Sequence, residues 1–245
     1  MSLLFFCLNM YYYNNVIISI KKILIFITML LIVNTTYGKA FRVTPYISLY
    51  STTLIGTDDV LNADGKLVSN SNLLTGLKMS YSLSQAFNLV FDYSTGAVGY
   101  DNTQEVISGD DSYTKSKISL GTRWILHPRV VFKFLFNIDE EIGFSIDTAN
   151  DNKALLVAEP INYFSIYYDQ IVFMGGGMYS GFFIGYSPNS SSDTYFARTS
   201  TEYGLFFVLQ GFRASYKIEN KTKESDDLKF TEDDSALELS YTFRF

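Results

Sequence analysis

Apolar and polar residues alternate through most of this chain. In its last stretch, Ala236 to Phe245, Leu237, Leu239, Tyr241, Phe243 and Phe245 take turns with Glu238, Ser240, Thr242 and Arg244. Successive side chains of a strand point to opposite faces, so this segment presents one apolar row and one polar row. The same period opens the regular part of the chain. Phe41, Val43, Pro45, Ile47 and Leu49 alternate with Arg42, Thr44, Tyr46, Ser48 and Tyr50. It returns in Leu77, Met79, Tyr81 and Leu83, in Phe87, Leu89, Phe91 and Tyr93, in Ile118, Leu120 and Trp124, in Val130, Phe132, Phe134, Phe136 and Ile138, and in Phe212, Ala214, Tyr216 and Ile218. No helical period of comparable strength appears after Ala40.

The connections between these segments are unequal. Polar stretches rich in turn formers, Thr57 to Asn72, Gly96 to Ser112, Thr148 to Lys153, Ser187 to Asp193 and Asn220 to Asp234, read as long loops. Ser84-Gln85-Ala86, Leu126-His127-Pro128, Asp169-Gln170 and Gln210-Gly211 read as tight turns. Pro160 would remove a ladder hydrogen bond, which predicts a bulge or strand end there, and Gly175, Gly176 and Gly177 read as a bend in the barrel wall or as space for an inward aromatic, the bend being preferred. The segments add up to about ten strands, with eight as the alternative, and most hold the ~9 to 11 residues needed to cross a bilayer at a steep tilt.

A soluble sandwich built from such strands would expose its edges. A closed barrel in lipid pairs every backbone group and turns its apolar rows outwards. Tyr241, Phe243 and the terminal Phe245 resemble the C-terminal signature of bacterial outer-membrane β-barrel proteins. The resemblance implies an all-β fold, a closed antiparallel up-and-down barrel in the outer membrane of a Gram-negative bacterium, with long loops outside and short turns in the periplasm. It also implies contact with periplasmic chaperones and with the barrel-assembly machinery through Tyr241, Phe243 and Phe245.

Composition agrees with that class: 47% of the residues are hydrophobic and 17% aromatic, yet the mean hydropathy is only +0.09, too low for a bundle of membrane helices. At the N-terminus, Lys21 and Lys22 precede an apolar run from Ile23 to Val33 and small residues around Gly38 and Ala40. This is the layout of a signal peptide, cleaved after Gly38 or Ala40. We therefore read residues 1–38 as a leader, of which 1–20 extends an ordinary start, and residues 39–245 as the barrel. The apolar run is shorter than the ~20 residues of a spanning helix. Loss of the leader removes two lysines and no acid, leaving 17 basic against 25 acidic residues and a net charge of -8. Such an acidic chain is a poor match for nucleic acid. Cys7, the only cysteine, lies in the leader, so neither a disulfide framework nor a thiolate metal site is expected.

If the apolar rows face lipid, Arg42, Lys78, Asp92, Lys117, Arg123, Lys133, Asp139, Arg213, Lys217, Glu238 and Arg244 face the lumen. A charge on the lipid side near the midplane would cost ~2–4 kcal/mol, which supports this register. These residues either pair across a narrow, filled interior or line a small pore that favours anions. The first alternative predicts a surface structural or interaction protein, and the second a narrow porin-like channel. The acidic groups Glu105, Asp110 and Asp111, and Glu224, Asp226, Asp227, Glu232, Asp233 and Asp234, are assigned to solvated loops without calcium-loop spacing. Those loops are candidates for contacts with lipopolysaccharide or with host and extracellular ligands. His127, the only histidine, stands in Leu126-His127-Pro128, a turn that this topology places on the periplasmic side far from the outer loops, so no catalysis and no cofactor is expected.

Overall fold

The computed structural model describes residues 41–56, 66–100, 107–108, 112–147, 153–191, 197–224 and 229–245. The leader at residues 1–38, residues 57–65 of the loop read at Thr57–Asn72, and the acidic residues Glu105, Asp110, Asp111, Asp226 and Asp227 lie outside the described residues. Among the described residues there are twelve strands and no helix. Ten are long: β1 (Phe41–Gly56), β2 (Lys66–Ser82), β3 (Phe87–Gly99), β5 (Ser112–His127), β6 (Val130–Asp147), β7 (Lys153–Gly175), β8 (Met178–Ser191), β9 (Ala197–Leu209), β10 (Phe212–Glu224) and β11 (Lys229–Tyr241). The other two, β4 (Ile107–Ser108) and β12 (Phe243–Arg244), are two residues each.

Long strands adjacent in sequence are adjacent in the sheet, and β11 pairs back onto β1 from Tyr46↔Ser240 to Gly56↔Phe230. The result is a closed, antiparallel, ten-stranded barrel. Closure removes the terminal edges that an open sheet would present. The short strand β4 adds in parallel to β7 at Ala154 and Leu155. The chain divides into two units: the barrel proper is Val43–Phe243, and in the other the Phe245 N–H donates to the Phe41 carbonyl at 3.0 Å.

The barrel is inside out relative to a water-soluble core. On β11, Leu237 is 42% exposed and the adjacent Glu238 only 8%. On β6, Phe134, Phe136 and Ile138 are exposed, and Asn137, Asp139 and Glu141 are buried. Water outside would select the opposite arrangement, whereas hydrocarbon outside selects this one. The outward rows turn polar at one end. Leu49 is followed by Ser51, Leu237 is preceded by Ser235, Tyr203 by Thr201, and Ile138 is followed by Glu140. The strands run on past this belt, so β6 and β7 reach 18 and 23 residues.

Several expectations about connections are corrected: of the stretches read as loops, residues 66–72 belong to β2, 96–99 to β3 and 187–191 to β8. The turn placed at Asp169-Gln170 lies instead at Gly176 and Gly177, whose φ values of 59° and 77° are the left-handed pair that a two-residue hairpin turn requires. The glycines thus form the turn itself and not a bend in the wall. Asp169 reads as a turn former in sequence, but in the fold it is a buried, inward-facing ion-pair partner. Pro160 neither ends β7 nor bulges it: the strand runs through it in register with Glu140. The β7–β8 ladder ends at Ile166↔Tyr186, short of Pro160, so the missing N–H costs no rung there. Finally, most of Asn220–Asp234 is strand and not loop, with only residues 225–228 between β10 and β11. Lys221, Lys223, Glu232 and Asp234 lie two apart along their strands and turn inwards, which polarity alone does not reveal.

Candidate functional site in the barrel interior

The tight turns between β2 and β3, β5 and β6, β7 and β8, and β9 and β10 share one end of the barrel, here the turn end. The opposite end is the loop end. Several of the residues expected from the sequence to face the lumen lie between these limits, two sets of them as ion pairs. The Lys78 ammonium lies 2.5 Å from Glu238 Oε1 and 4.3 Å from the centroid of the Tyr46 ring. The Tyr46 hydroxyl donates to Asp92 Oδ1 at 2.9 Å. These contacts join β1, β2, β3 and β11 across the interior. The backbone makes room for them at Gly76, where a Cβ would collide with the Tyr46 ring.

A second pair links β5 to β6. Lys117 Nζ lies 3.7 Å from Asp139 Oδ2 and donates to the Tyr163 hydroxyl at 2.8 Å, and that hydroxyl donates to Asp139 at 3.0 Å. Lys133 reaches Asp169 on β7 at 2.8 Å. Arg213 stands 4.6 Å over the Phe206 ring, and Lys217 interacts electrostatically with Glu202. Arg123 is half-buried, in register with Asn88. Arg42 is half-buried and Arg244 exposed, both in the terminal unit.

The densest cluster was not among the expected residues. Near the loop end, Arg198 on β9 donates from Nε to both Glu141 carboxylate oxygens, at 2.8 and 2.9 Å, and from Nη2 to Glu219 at 2.8 Å. Its guanidinium lies 4.0 Å from the centroid of the Tyr163 ring. Lys221 pairs with Asp234 at 2.6 Å, Glu232 at 2.9 Å and Glu141 at 3.6 Å. Lys223 pairs with Glu141 at 3.2 Å and closely with Glu232. Arg198 and Lys223 have no exposed surface, and Glu141 and Glu232 retain 1% each. Charges so deep are tolerated because each is answered by opposite charge and by hydrogen bonds. One signal would have found them: Lys221 and Lys223 share the odd parity of Arg213 and Lys217, Glu232 and Asp234 the even parity of Glu238, and Glu141 the parity of Asp139.

Towards the turn end the filling changes character. Phe183, Phe206 and Val208 form a buried apolar cluster, against which Tyr167, Ile171 and Tyr179 pack. The Tyr179 and Phe206 rings meet edge to face at 6.3 Å. The interior therefore holds an ionic network at one end and an aromatic one at the other.

His127 is exposed at the end of β5, where its Nδ1 accepts from the Arg129 N–H at 3.2 Å, beside a turn at Pro128–Arg129. Tyr241 and Phe243 are exposed and stack edge to face at 5.0 Å, and Phe245 is also exposed. Among the described residues no group of histidine, cysteine and acidic side chains is arranged to hold a metal ion.

No protein-family model matches the sequence, and no curated protein matches it. Among solved structures, the chain is similar to the outer membrane protease OmpT from Escherichia coli, with 9% identity over 84% of this chain and 96% of that one and a TM-score of 0.47. It is similar to the beta domain of the Bordetella autotransporter BrkA, with 11% identity over 84% of this chain and 100% of that one and a TM-score of 0.44. It is also similar to Ail, the attachment invasion locus protein of Yersinia pestis, with 10% identity over 82% of this chain and 98% of that one and a TM-score of 0.36. With its ladder closed, its apolar side chains outside and its charges within, the described chain has the architecture of a transmembrane β-barrel.

Proposed function

We propose that the protein is a surface scaffold: a barrel whose filled interior passes no solute, and whose strands carry their loops beyond the membrane belt towards structural or interaction partners. The observation that supports this reading is the fully buried Arg198–Glu141–Lys223–Glu232 network, which ties β6, β9, β10 and β11 together through the lumen. Ions lining a water-filled pore would keep solvent on one side, and these do not. Planar-bilayer recording of the refolded protein tests the reading: the expected trace has no steady single-channel steps, and reproducible steps with anion preference would establish the narrow-channel alternative. That second reading draws on Lys78, whose side chain keeps 35% of its surface exposed despite its bond to Glu238.

Lipid and lipopolysaccharide form the surroundings of the outer belt, and the loops are the place for host or extracellular ligands. The exposed rings of Tyr241, Phe243 and Phe245 are the assembly signal in this reading, offered to periplasmic chaperones and the barrel-assembly machinery. Deleting Phe245 should lower the amount of heat-modifiable barrel in outer-membrane fractions under strong expression. An unchanged amount would remove that role.

A further inference from the structure

At the loop end, β7 is paired on one side only. Its ladder with β6 runs unbroken from Val130↔Gln170 to Asp147↔Lys153, but its ladder with β8 stops at Ile166↔Tyr186. Past that rung β8 follows β9 instead, through Ser187↔Ser200 and, after a shift of register, Ser190↔Arg198 and Ser191↔Ala197. Pro188 lies within that shift and has no N–H to offer β7. Further along β7, β4 adds in parallel at Ala154 and Leu155, on the edge that β6 leaves open. Between β4 and β8, residues 156–165 pair with no strand among the described residues on that side, an open edge roughly 30 Å long.

Residues of a strand turn their N–H and C=O alternately to one neighbour and the other, so about half of the backbone groups in this stretch point away from β6. The Tyr163 carbonyl accepts from Asn137 Nδ2 at 3.3 Å and keeps a second lone pair. Pro160 supplies a carbonyl without an N–H, so the edge loses one donor and keeps the others. The edge is also firmly backed. Ile161, Tyr163 and Ser165 face inwards and retain no more than 3% of their surface. Behind them Arg198 crosses from β9, with its guanidinium 4.0 Å from the centroid of the Tyr163 ring and its Nε bonded to Glu141 on β6. On the outer side Ala158, Pro160 and Asn162 are exposed, short and uncharged, which leaves the approach clear.

The spacing of the free groups defines what fits them. Donors and acceptors repeating along a strand are matched by another backbone and not by lipid. A second copy in the same membrane would present β7 in the same direction, and the slanted bonds of a parallel ladder need an offset of one residue that a two-fold axis does not give. That β4 already lies on this edge shows that it accepts an extended segment. We propose that residues 156–165 of β7 bind an extended segment of a partner polypeptide as an added strand. This gives the interaction role above its class of partner and rests on that reading for the loop end facing outwards. Steady channel steps in a bilayer would remove the filled lumen and leave this edge untouched.

A bimane label at Ala158→Cys or, separately, at Asn162→Cys tests it, in the refolded full chain carrying Cys7→Ser. The probe is a short synthetic peptide of alternating threonine and valine, with a terminal lysine for solubility and a central tryptophan, which quenches bimane on contact. It should dim both labels about twofold, half-saturating below ~1 mM, as suits main-chain pairing with a short edge. The same peptide N-methylated at all its amides cannot donate to the rungs and should leave both labels at full intensity. A label at Leu205→Cys, on the exposed face of β9, should respond to neither peptide. Absence of dimming at residues 158 and 162 would overturn the proposal. Equal dimming by the N-methylated peptide, or at residue 205, would do the same.

Discussion

The two ends of this barrel's interior are filled by opposite chemistry within the same wall. At the loop end, Arg198, Lys221 and Lys223 share the carboxylates of Glu141, Glu219, Glu232 and Asp234. At the turn end, Phe183, Phe206 and Val208 pack as an ordinary apolar core, with Tyr167, Ile171 and Tyr179 around them. The aromatic end gains from burial itself and tolerates the loss of one contact by partial relaxation. The ionic end gains only while every charge keeps its partner, because an unmatched buried charge retains its full desolvation cost. A narrow lumen can thus be closed either by area or by charge matching, and the second is the more fragile.

The largest effect should come from Glu141→Ala, which strips three cations of a shared acceptor. Unfolding in urea, followed in micelles by tryptophan-independent far-UV circular dichroism, should show a loss of ~3–5 kcal/mol. Adding Lys223→Ala should cost less than the sum of the two single changes, since they share one network. Phe206→Ala at the other end should cost about 3 kcal/mol by leaving a cavity, and should add to Glu141→Ala within ~0.5 kcal/mol because the two ends share no partner. Strong coupling between Glu141 and Phe206 would mean that the interior is a single unit and would dissolve the contrast.

Outside the barrel, Leu205→Arg should cost ~2–4 kcal/mol if the residue faces the hydrocarbon. It is 65% exposed, so in water the same change would be close to neutral. The smallest effect should be that of His127→Ala, within ~0.5 kcal/mol by the same unfolding measurement, because this side chain is exposed and makes one local contact.

The barrel was legible in the sequence because period-two alternation reports directly which face a residue takes. Leu237, Leu239 and Tyr241 on one side and Glu238 and Ser240 on the other needed no further information. The pairing of strands through tight turns was equally readable at Gln210-Gly211. What was lost came from reading polarity as exposure. Lys221, Lys223, Glu232 and Asp234 look like a solvated loop when counted as charges, and like two inward rows when counted by parity. Asp169 misled for the same reason: an acidic residue before a glutamine resembles a turn, and only its distance to Lys133 shows otherwise. Even with parity in hand, the partners remain hidden, because Arg198 and Glu141 meet through the lumen from strands that are not neighbours in the sheet. The aromatic end was missed because Phe206 and Phe207 are chemically alike in sequence, and their burial differs only through the face each takes.

The claim beneath all of this is that one face of each strand touches lipid and the other a dry, filled interior. Nitroxide labels placed singly at residues 202–208 of β9, in a background without Cys7, test it by collision with oxygen and with a water-soluble nickel chelate. Labels at 203, 205 and 207 should collide freely with oxygen, and those at 202, 204, 206 and 208 with neither reagent. Nickel reaching the even-numbered positions as readily as a free label in water would show an open, hydrated lumen, and an absence of alternation would contradict the barrel itself.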